Sequence, residues 1–302
     1  INLQDYLMPA GTDIYNLIRL LWPINRSITG NGNRQTLKIL KKINKKLRIF
    51  EVKSNKNVYD WRIPLEWNVK KAFIKVQETG EEVLNFKNNN LHLMSYSTPI
   101  NKILTFNELK KKLNFIREKP NSIPYTTSYY KKNWSFNITY NNFKKLNKNN
   151  KYIVNIDAKF KKGSMSYGEI YLKGKLKREI LFSTYICHPS MANNELSGPS
   201  LSIFLSKWLN NIKNRKYSYR FIFIPETIGS IHYIKKNLKN MKKNILAIFN
   251  ITCVGDDKNS SVLFSKYANT VADKILLKVL KKNNIKFKKY HWLDRGSDER
   301  PI

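Results

Sequence analysis

Apolar and polar positions follow a helical spacing over the first fifty residues. Between residues 14 and 21 the apolar side chains fall at i, i+3, i+4 and i+7, and the pattern stops at Pro23. A second amphipathic stretch predicts a helix over residues 35–47. The glycine- and asparagine-rich segment 25–34 between them is typical of turns with positive φ angles.

Short β-type runs dominate the middle of the chain, and several of them alternate with a period of two. One helix interrupts them: Thr105 and Glu108 form a capping box, and an apolar stripe continues to Ile116. We therefore predict a small α+β or mostly β domain over residues 61–164. Its predicted strands cover residues 72–76, 134–140 and 152–160.

Residues after 164 alternate between buried-type strands and helices. This order predicts an α/β fold in which a mostly parallel sheet carries helices on both faces. The N-terminal helices are expected on the same sheet, so residues 1–60 and 165–302 would form one α/β domain with the smaller domain inserted. The predicted strands cover residues 180–187, 219–224, 245–254 and 285–292, and the predicted helices 201–209, 228–238 and 271–280.

The composition indicates a soluble globular protein. Of its 302 residues 41% are hydrophobic, which is enough for a sizeable core, and no apolar run approaches the roughly 18 residues of a membrane-spanning helix. Cys187 and Cys253 are the only cysteines, which excludes a disulfide framework and favours the reducing cytoplasm. Because the chain starts without methionine and stops at Ile302 with no sign of a finished domain, we expect it to be part of a longer protein.

The charge is strongly positive, with 56 Lys and Arg against 21 Asp and Glu and a net charge of +35. Such a balance suggests nucleic acid as a partner, because binding of Lys and Arg to the phosphates releases the counterions condensed on the nucleic acid and so favours binding. The basic pairs, however, lie along the whole chain beside the polar faces of predicted helices, which favours a solvated surface. Nucleic acid is therefore the least favoured partner, no membrane partner is expected, and the oligomeric state is left open.

Polar clusters follow each of the four predicted strands of the parallel sheet. They lie at residues 188–190, 225–227, 255–257 and 294–299. In open α/β sheets the carboxyl ends of the strands form the ligand crevice. We therefore predict a functional site at this edge of the sheet.

His188 opens the first of these clusters, and Asn194 and Glu195 follow within seven residues. Imidazole nitrogen and carboxylate oxygen suit zinc, so these three residues are candidate metal ligands. The alternatives are a structural histidine and a helix cap of asparagine and serine. Asp256 is either a further ligand or a turn residue after Gly255.

Glu226 is the candidate general base. A carboxylate after an apolar run is costly to bury without a partner, and a desolvated glutamate can take a proton from water on a metal ion. Arg295 and Asp298 form either a structural ion pair or a clamp for a charged end of the substrate. The adjacent Cys187 and His188 are expected to point to opposite faces of a strand, which argues against a thiol–imidazole pair.

The sequence contains six motifs in this order: RSITG (26–30), CHPS (187–190), NNELSG (193–198), PETIGS (225–230), TCVGD (252–256) and RGSDER (295–300). Together they resemble a bacterial family of aminopeptidase-like proteins of unknown function, distant relatives of the zinc aminopeptidases with two co-catalytic metals. The resemblance covers essentially the whole chain. It implies a zinc-aminopeptidase-like, phosphorylase/hydrolase-type α/β fold with an inserted small domain.

This resemblance implies a metal-dependent hydrolase of peptide or amide bonds, with one or two zinc ions and a small peptide or aminoacyl substrate. Glu226 corresponds to the base, and Arg26 of the first motif is expected to contact the substrate with Arg295 and Asp298. Several of the peptidases' ligands are replaced, and their bridging aspartate corresponds to Asn194. A catalytically degenerate binding protein for an amino-acid or sugar-like ligand is therefore the alternative, and a basic nucleic-acid binder comes third.

Overall fold

The structure of the protein, a computed structural model, describes residues 11–294 and 296–298. Within them, no helix has both the length and the apolar character that crossing a membrane requires. The α-helices are α1 (Gly11–Leu21), α2 (Asn31–Ile43), α3 (Phe106–Lys110), α4 (Tyr140–Lys144), α5 (Ser197–Asn211), α6 (Ile228–Asn244) and α7 (Val271–Lys282). The strands are β1 (Arg48–Lys53), β2 (Asn57–Val58), β3 (Trp61–Arg62), β4 (Glu66–Val76), β5 (Glu82–Asn85), β6 (Ile100–Thr105), β7 (Leu113–Asn114), β8 (Phe136–Asn137), β9 (Lys151–Lys161), β10 (Ser164–Leu172), β11 (Glu179–Tyr185), β12 (Ser218–Ile224), β13 (Ile245–Asn250), β14 (Ser261–Leu263) and β15 (Lys288–Tyr290).

The larger sheet has five strands in the order β1-β10-β12-β11-β13. Strands β12, β11 and β13 run parallel to one another, as the alternation of strands and helices predicts. Strand β10 pairs antiparallel with both β12 and β1. The fold is therefore α/β, as predicted, and the parallel part of the sheet is extended at one edge by the antiparallel strand β10 and then by β1.

Strand β12 shows how the larger sheet is buried on both faces. Phe221 and Phe223 belong to the apolar cluster that contains buried residues of α1, α2 and α5. Ile222 and Ile224 belong to a second cluster that contains buried residues of α6. Because successive side chains of a strand point to opposite faces, helices cover both faces of the sheet, and the expected packing of the N-terminal helices is confirmed.

The smaller sheet is antiparallel, with the strand order β5-β4-β9-β6. All its strands lie between residues 66 and 161. Its buried side chains continue into the core of the larger sheet, since Trp67 and Ile74 share one apolar cluster with Leu181 and Tyr185. Because one core spans both sheets, the domain boundaries at residues 61 and 164 stay a prediction.

Several predicted elements differ from the structure in length or position. The helix that starts after Thr105 ends at Lys110 instead of continuing to Ile116, because β7 follows and pairs with β8. The strand predicted over residues 134–140 is reduced to β8. The strand predicted over 285–292 is reduced to β15, which pairs with β14 outside the larger sheet. A strand inside the parallel sheet would be buried on both faces, whereas β15 is mostly exposed.

Arg34 links the two sheets. Helix α2 begins at Asn31, four residues before the predicted start, so Arg34 lies in its first turn. Its guanidinium donates hydrogen bonds to both oxygens of Glu66 at the start of β4, at 3.0 and 2.6 Å, and another to Glu51 on β1 at 3.2 Å. This bidentate bond lowers the pKa of Glu66 from 4.5 to about 2.

Replacing Glu66 with glutamine is expected to lower the free energy of unfolding at neutral pH by on the order of 2 kcal/mol. The folded-state pKa is depressed, so the stabilisation is complete above pH 4.5 and is lost as the pH falls towards about 2. Urea unfolding of both proteins between pH 7 and pH 2 measures this difference. A gap that stays constant over the whole range would contradict the prediction.

Candidate metal and catalytic site

The three parallel strands end in loops with unusual backbone conformations. Ser190, Thr227 and Cys253 follow β11, β12 and β13, and their φ angles are +39°, +62° and +53°. Positive φ is unfavourable for residues with a Cβ, above all for the β-branched threonine, and such strain concentrates at functional sites. Each of these three loops therefore contains a residue in a conformation that its side chain disfavours.

His188 lies between two carboxylates at this edge of the sheet. Its Nδ1 is 2.8 Å from Glu195 Oε2, and its Nε2 is 3.1 Å from Glu226 Oε2. Glu195 reaches Nδ1 because a single π-helical turn, Ala192–Leu196, leads into α5. The structure thus brings together the candidate base and two of the candidate ligands.

Arg26 lies behind Glu195 and has no exposed surface. Its Nε is 3.6 Å from Glu195 Oε1, and its Nη1 donates a hydrogen bond to the carbonyl of Leu21 at 2.7 Å. Glu195 is fully buried as well. The side chains of Arg26 and Glu195 therefore form a buried ion pair. Glu195 lies between Arg26 and His188, so Arg26 is separated from the crevice.

Glu226 is the most exposed of these charged groups, with 24% of its side chain open to solvent. The Ser297 hydroxyl donates a hydrogen bond to its Oε1. Glu226 also lines a cavity of about 110 Å³ whose other walls include Ile28, Trp61 and Tyr130. The carboxylate is thus oriented on one side and open to a small ligand on the other.

The charges at this site depend on burial and on one another. Burial lowers the pKa of His188, but Cys187 and Glu195 raise it more, so it lies well above its ordinary value. The carboxylate of Glu195 is the cause at neutral pH, because burial raises the pKa of the Cys187 thiol to about 12 and leaves it uncharged. Burial also raises the pKa of Glu226, yet hydrogen bonds from His188 and Ser297 outweigh this effect, so Glu226 is ionised.

Asn194 and Asp256, two further candidate ligands, lie in different surroundings. The side-chain oxygen of Asn194 is buried and has no hydrogen-bond partner among the described residues. Asp256 is exposed and accepts a hydrogen bond from the Lys258 amide at 2.9 Å, as a turn residue does.

The last motif is only partly described. Asp298 is buried, and its Oδ1 accepts a hydrogen bond from the Thr227 amide at 2.7 Å, which braces the loop that carries Glu226. Arg295 lies outside the described residues. The predicted clamp for a substrate end stays a prediction.

Cys187 lies on the same side as His188, so the expected separation of the two side chains is wrong. Strand β11 ends at Tyr185, and the alternation of a strand no longer applies beyond it. The Cys187 sulfur is 3.9 Å from His188 Nδ1 and accepts a hydrogen bond from the Glu226 amide at 3.2 Å. Ligand atoms of Cys187, His188 and Glu226 all lie within 4.8 Å of one another.

The model of a family described as a domain of unknown function, DUF4910, matches residues 15–302. The chain belongs to the DUF4910 family. This DUF4910 chain is 47% identical over 294 residues to a Clostridium acetobutylicum protein that is named as a polysaccharide biosynthesis protein with an aminopeptidase-like domain. The match covers 96% of this chain and 66% of that relative, so the chain spans just under two thirds of the relative's length.

Solved structures resemble the DUF4910 chain over nearly its whole length. A crystal structure of a C. acetobutylicum protein named as a peptidase has a TM-score of 0.91 at 47% identity, covering 96% of this chain and 68% of that one. A zinc aminopeptidase from Bacillus subtilis has a TM-score of 0.62 at 14% identity, covering 94% and 80%. The second likeness shows the fold alone, and together the relatives support a peptidase-like hydrolase or related fold.

The described residues of this DUF4910 chain offer several candidate donor atoms for a metal ion. His188 can offer Nε2 because its Nδ1 is bonded to Glu195, an arrangement common among histidine ligands of metals. The buried Asn194 Oδ1 is an oxygen donor that accepts no hydrogen bond from any described residue. Glu195 is engaged by His188 and Arg26, and Asp256 is exposed, so the described residues assemble no second set of ligands.

Sequence reasoning missed three side chains of this site. Tyr125 and Tyr185 pack edge-to-face against the His188 ring, with centroid distances of 4.8 and 5.3 Å. Ser297 lies in the last motif, and a hydroxyl beside the charged residues there was a usable signal. Tyr125 comes from an irregular segment between β7 and β8, which has no periodicity to indicate where it packs.

Proposed function

We propose that this DUF4910 chain is a metal-dependent hydrolase of amide bonds that acts on a small peptide or aminoacyl substrate. The observation that carries the proposal is the position of His188 between Glu195 and Glu226, at the carboxyl edge of the parallel strands. One carboxylate is buried and anchors the imidazole, and the other is open to a ligand. This division suits one positioning residue and one general base.

The proposed cofactor is one zinc ion that His188 Nε2 and Asn194 Oδ1 would hold together with water. A zinc ion would polarise the substrate carbonyl and acidify water. As a zinc ligand His188 would be neutral and would keep one proton on Nδ1, facing Glu195. The buried Glu195, beside Arg26, holds the Nδ1 side of the ring in place.

Glu226 is the proposed general base. Its carboxylate is ionised and open on one side, so it can take a proton from the attacking water and return it to the leaving amine. Ser297 donates a hydrogen bond to Oε1, and Oε2 lies 3.1 Å from His188 Nε2, next to the proposed zinc position. Asp298 fixes the same loop through the Thr227 amide and acts as a positioning residue.

Zinc content of the purified chain tests this proposal. We expect about one equivalent of zinc by elemental analysis in the wild type, and loss of most of it in His188→Ala. His291→Ala removes an exposed imidazole that the proposal does not use and should leave the zinc content unchanged. Release of the chromophore from aminoacyl p-nitroanilides should require the same zinc.

Two outcomes would contradict the proposal. If the wild type holds no zinc and gains none on addition, the hydrolase is wrong, and the catalytically degenerate binding protein becomes the better explanation. If His188→Ala and His291→Ala lose zinc to the same extent, the metal binds the surface rather than this site.

A further inference from the structure

A second cavity, of about 440 Å³, lies at the edge of the larger sheet. Its volume falls within the roughly 300–1,000 Å³ that is typical of small-molecule sites. The last turn of α2, the segment that follows it, the start of β1 and the second half of β10 form its walls, and it shares no lining residue with the Glu226 cavity. Its polar lining comprises Lys41, Lys45, Lys46, Arg48, Glu169 and Tyr171.

The four cations of this cavity are not neutralised by the protein. None of them makes an ion pair with a described residue. Glu169, the single lining carboxylate, is bonded to Arg220 Nη1 at 3.0 Å and accepts a hydrogen bond from Tyr233. Since Arg220 also pairs with Glu179, these charges leave a net excess of about three positive charges around the cavity.

All four cations of the cavity are exposed, yet they are more concentrated here than in the chain as a whole. Lys and Arg account for 56 of the 302 residues of the chain, but for four of the seven residues that line the cavity. Lys41 lies in the last turn of α2, where it complements the helix dipole, but Lys45, Lys46 and Arg48 lie beyond the helix. Their mutual repulsion around one concave space favours a multivalent anion.

Tyr171 adds an aromatic surface to the same cavity. The Arg220 guanidinium lies 4.6 Å from the ring centroid, and the hydroxyl donates a hydrogen bond to Ser218 Oγ at 3.3 Å, so the ring is held in place. The residue is nevertheless 40% exposed. A fixed aromatic ring beside phosphate-binding cations is the combination that binds the base and the phosphates of nucleotides.

We propose that this cavity binds a nucleoside phosphate, with the phosphates on the lysines and Arg48 and the planar base against Tyr171. The site is independent of the amide hydrolase proposed above, because it needs neither zinc nor Glu226. It recognises a small phosphorylated molecule rather than a nucleic acid, because the four cations come from one short stretch, residues 41–48, and line a single concave space instead of an extended basic stripe.

Calorimetric titration of the full chain with ADP, pyrophosphate and adenosine at physiological salt tests the site. ADP should bind more tightly than pyrophosphate, and adenosine should bind weakest. Lys45→Ala/Lys46→Ala should weaken ADP and pyrophosphate binding by roughly tenfold or more. The matched control, Lys281→Ala/Lys282→Ala, removes the same charge from the exposed end of α7 and should change affinity less than twofold.

Tyr171→Leu separates the base from the phosphates. We expect it to weaken ADP binding by roughly tenfold and to leave pyrophosphate binding unchanged. Equal losses in the two lysine variants would mean non-specific attraction to a chain of net charge +35 and would overturn the proposal. Absence of ADP binding in the wild type would overturn it too, as would equal affinity for ADP and pyrophosphate, and none of these outcomes bears on zinc or amide hydrolysis.

Discussion

Glu226→Gln is expected to lower kcat for amide hydrolysis by roughly 10² to 10⁴-fold, the usual contribution of a general base. Glutamine has nearly the same shape and still accepts the Ser297 hydrogen bond, but it cannot take a proton. Steady-state kinetics on the best p-nitroanilide substrate measures the effect. Because the side chain is partly open to solvent, we expect the variant to fold normally.

The zinc content of Glu226→Gln separates a base from a ligand. If Glu226 is the base and not a zinc ligand, Glu226→Gln should keep the zinc content of the wild type. His188→Ala should lose both zinc and activity. Glu118→Gln removes a carboxylate from an exposed position and serves as the control, with unchanged kcat. Full activity in Glu226→Gln would rule out its role as the base.

Glu195→Ala is expected to lower the free energy of unfolding by about 3–5 kcal/mol, the cost of breaking a buried ion pair. The change leaves Arg26 charged and buried with a single hydrogen bond to the Leu21 carbonyl, and it removes the partner of His188 Nδ1. Urea unfolding measures the loss. The exposed Glu82→Ala should stay within about 0.5 kcal/mol of the wild type.

A double variant tests whether the stability loss comes from the unpaired arginine. Arg26→Met/Glu195→Met removes both charges and should recover part of the stability that Glu195→Ala loses, because apolar side chains of similar length replace the pair. Glu195→Asp shortens the carboxylate, and Glu195→Gln keeps its length without the charge. If Glu195 positions His188, both Glu195→Asp and Glu195→Gln should bind zinc more weakly than the wild type. An unchanged zinc affinity in both variants would mean that Glu195 has only a structural role.

The sequence predicted that His188 and Glu226 would lie at the same edge of the sheet. The apolar runs of β11 and β12 each end in a polar cluster, and the parallel pairing of these strands places His188 and Glu226 side by side. Hydrophobic periodicity fixes strands and helices through local chain geometry, and the carboxyl ends of adjacent parallel strands must meet. A short distance between these two residues therefore follows from local pattern alone.

The tertiary structure decided what each residue at that edge contacts. A seven-residue spacing between His188 and Glu195 predicted ligands of a shared metal, yet the π-helical turn directs Glu195 to the back of the imidazole. Arg26, more than 150 residues away in sequence, reaches Glu195 from below. Ser297 meets Glu226 in the same way from the far end of the chain.

Composition and pattern by themselves determined the α/β class, the covering of both sheet faces and the edge that carries His188 and Glu226. They did not determine the antiparallel strand β10, the burial of Arg26 or the basic cavity beside β1. The periodicity of apolar residues shows which face of a single helix or strand is buried, and it does so over a window of only a few residues. Contacts between loops distant in sequence depend on how whole elements pack, and no local pattern encodes that packing.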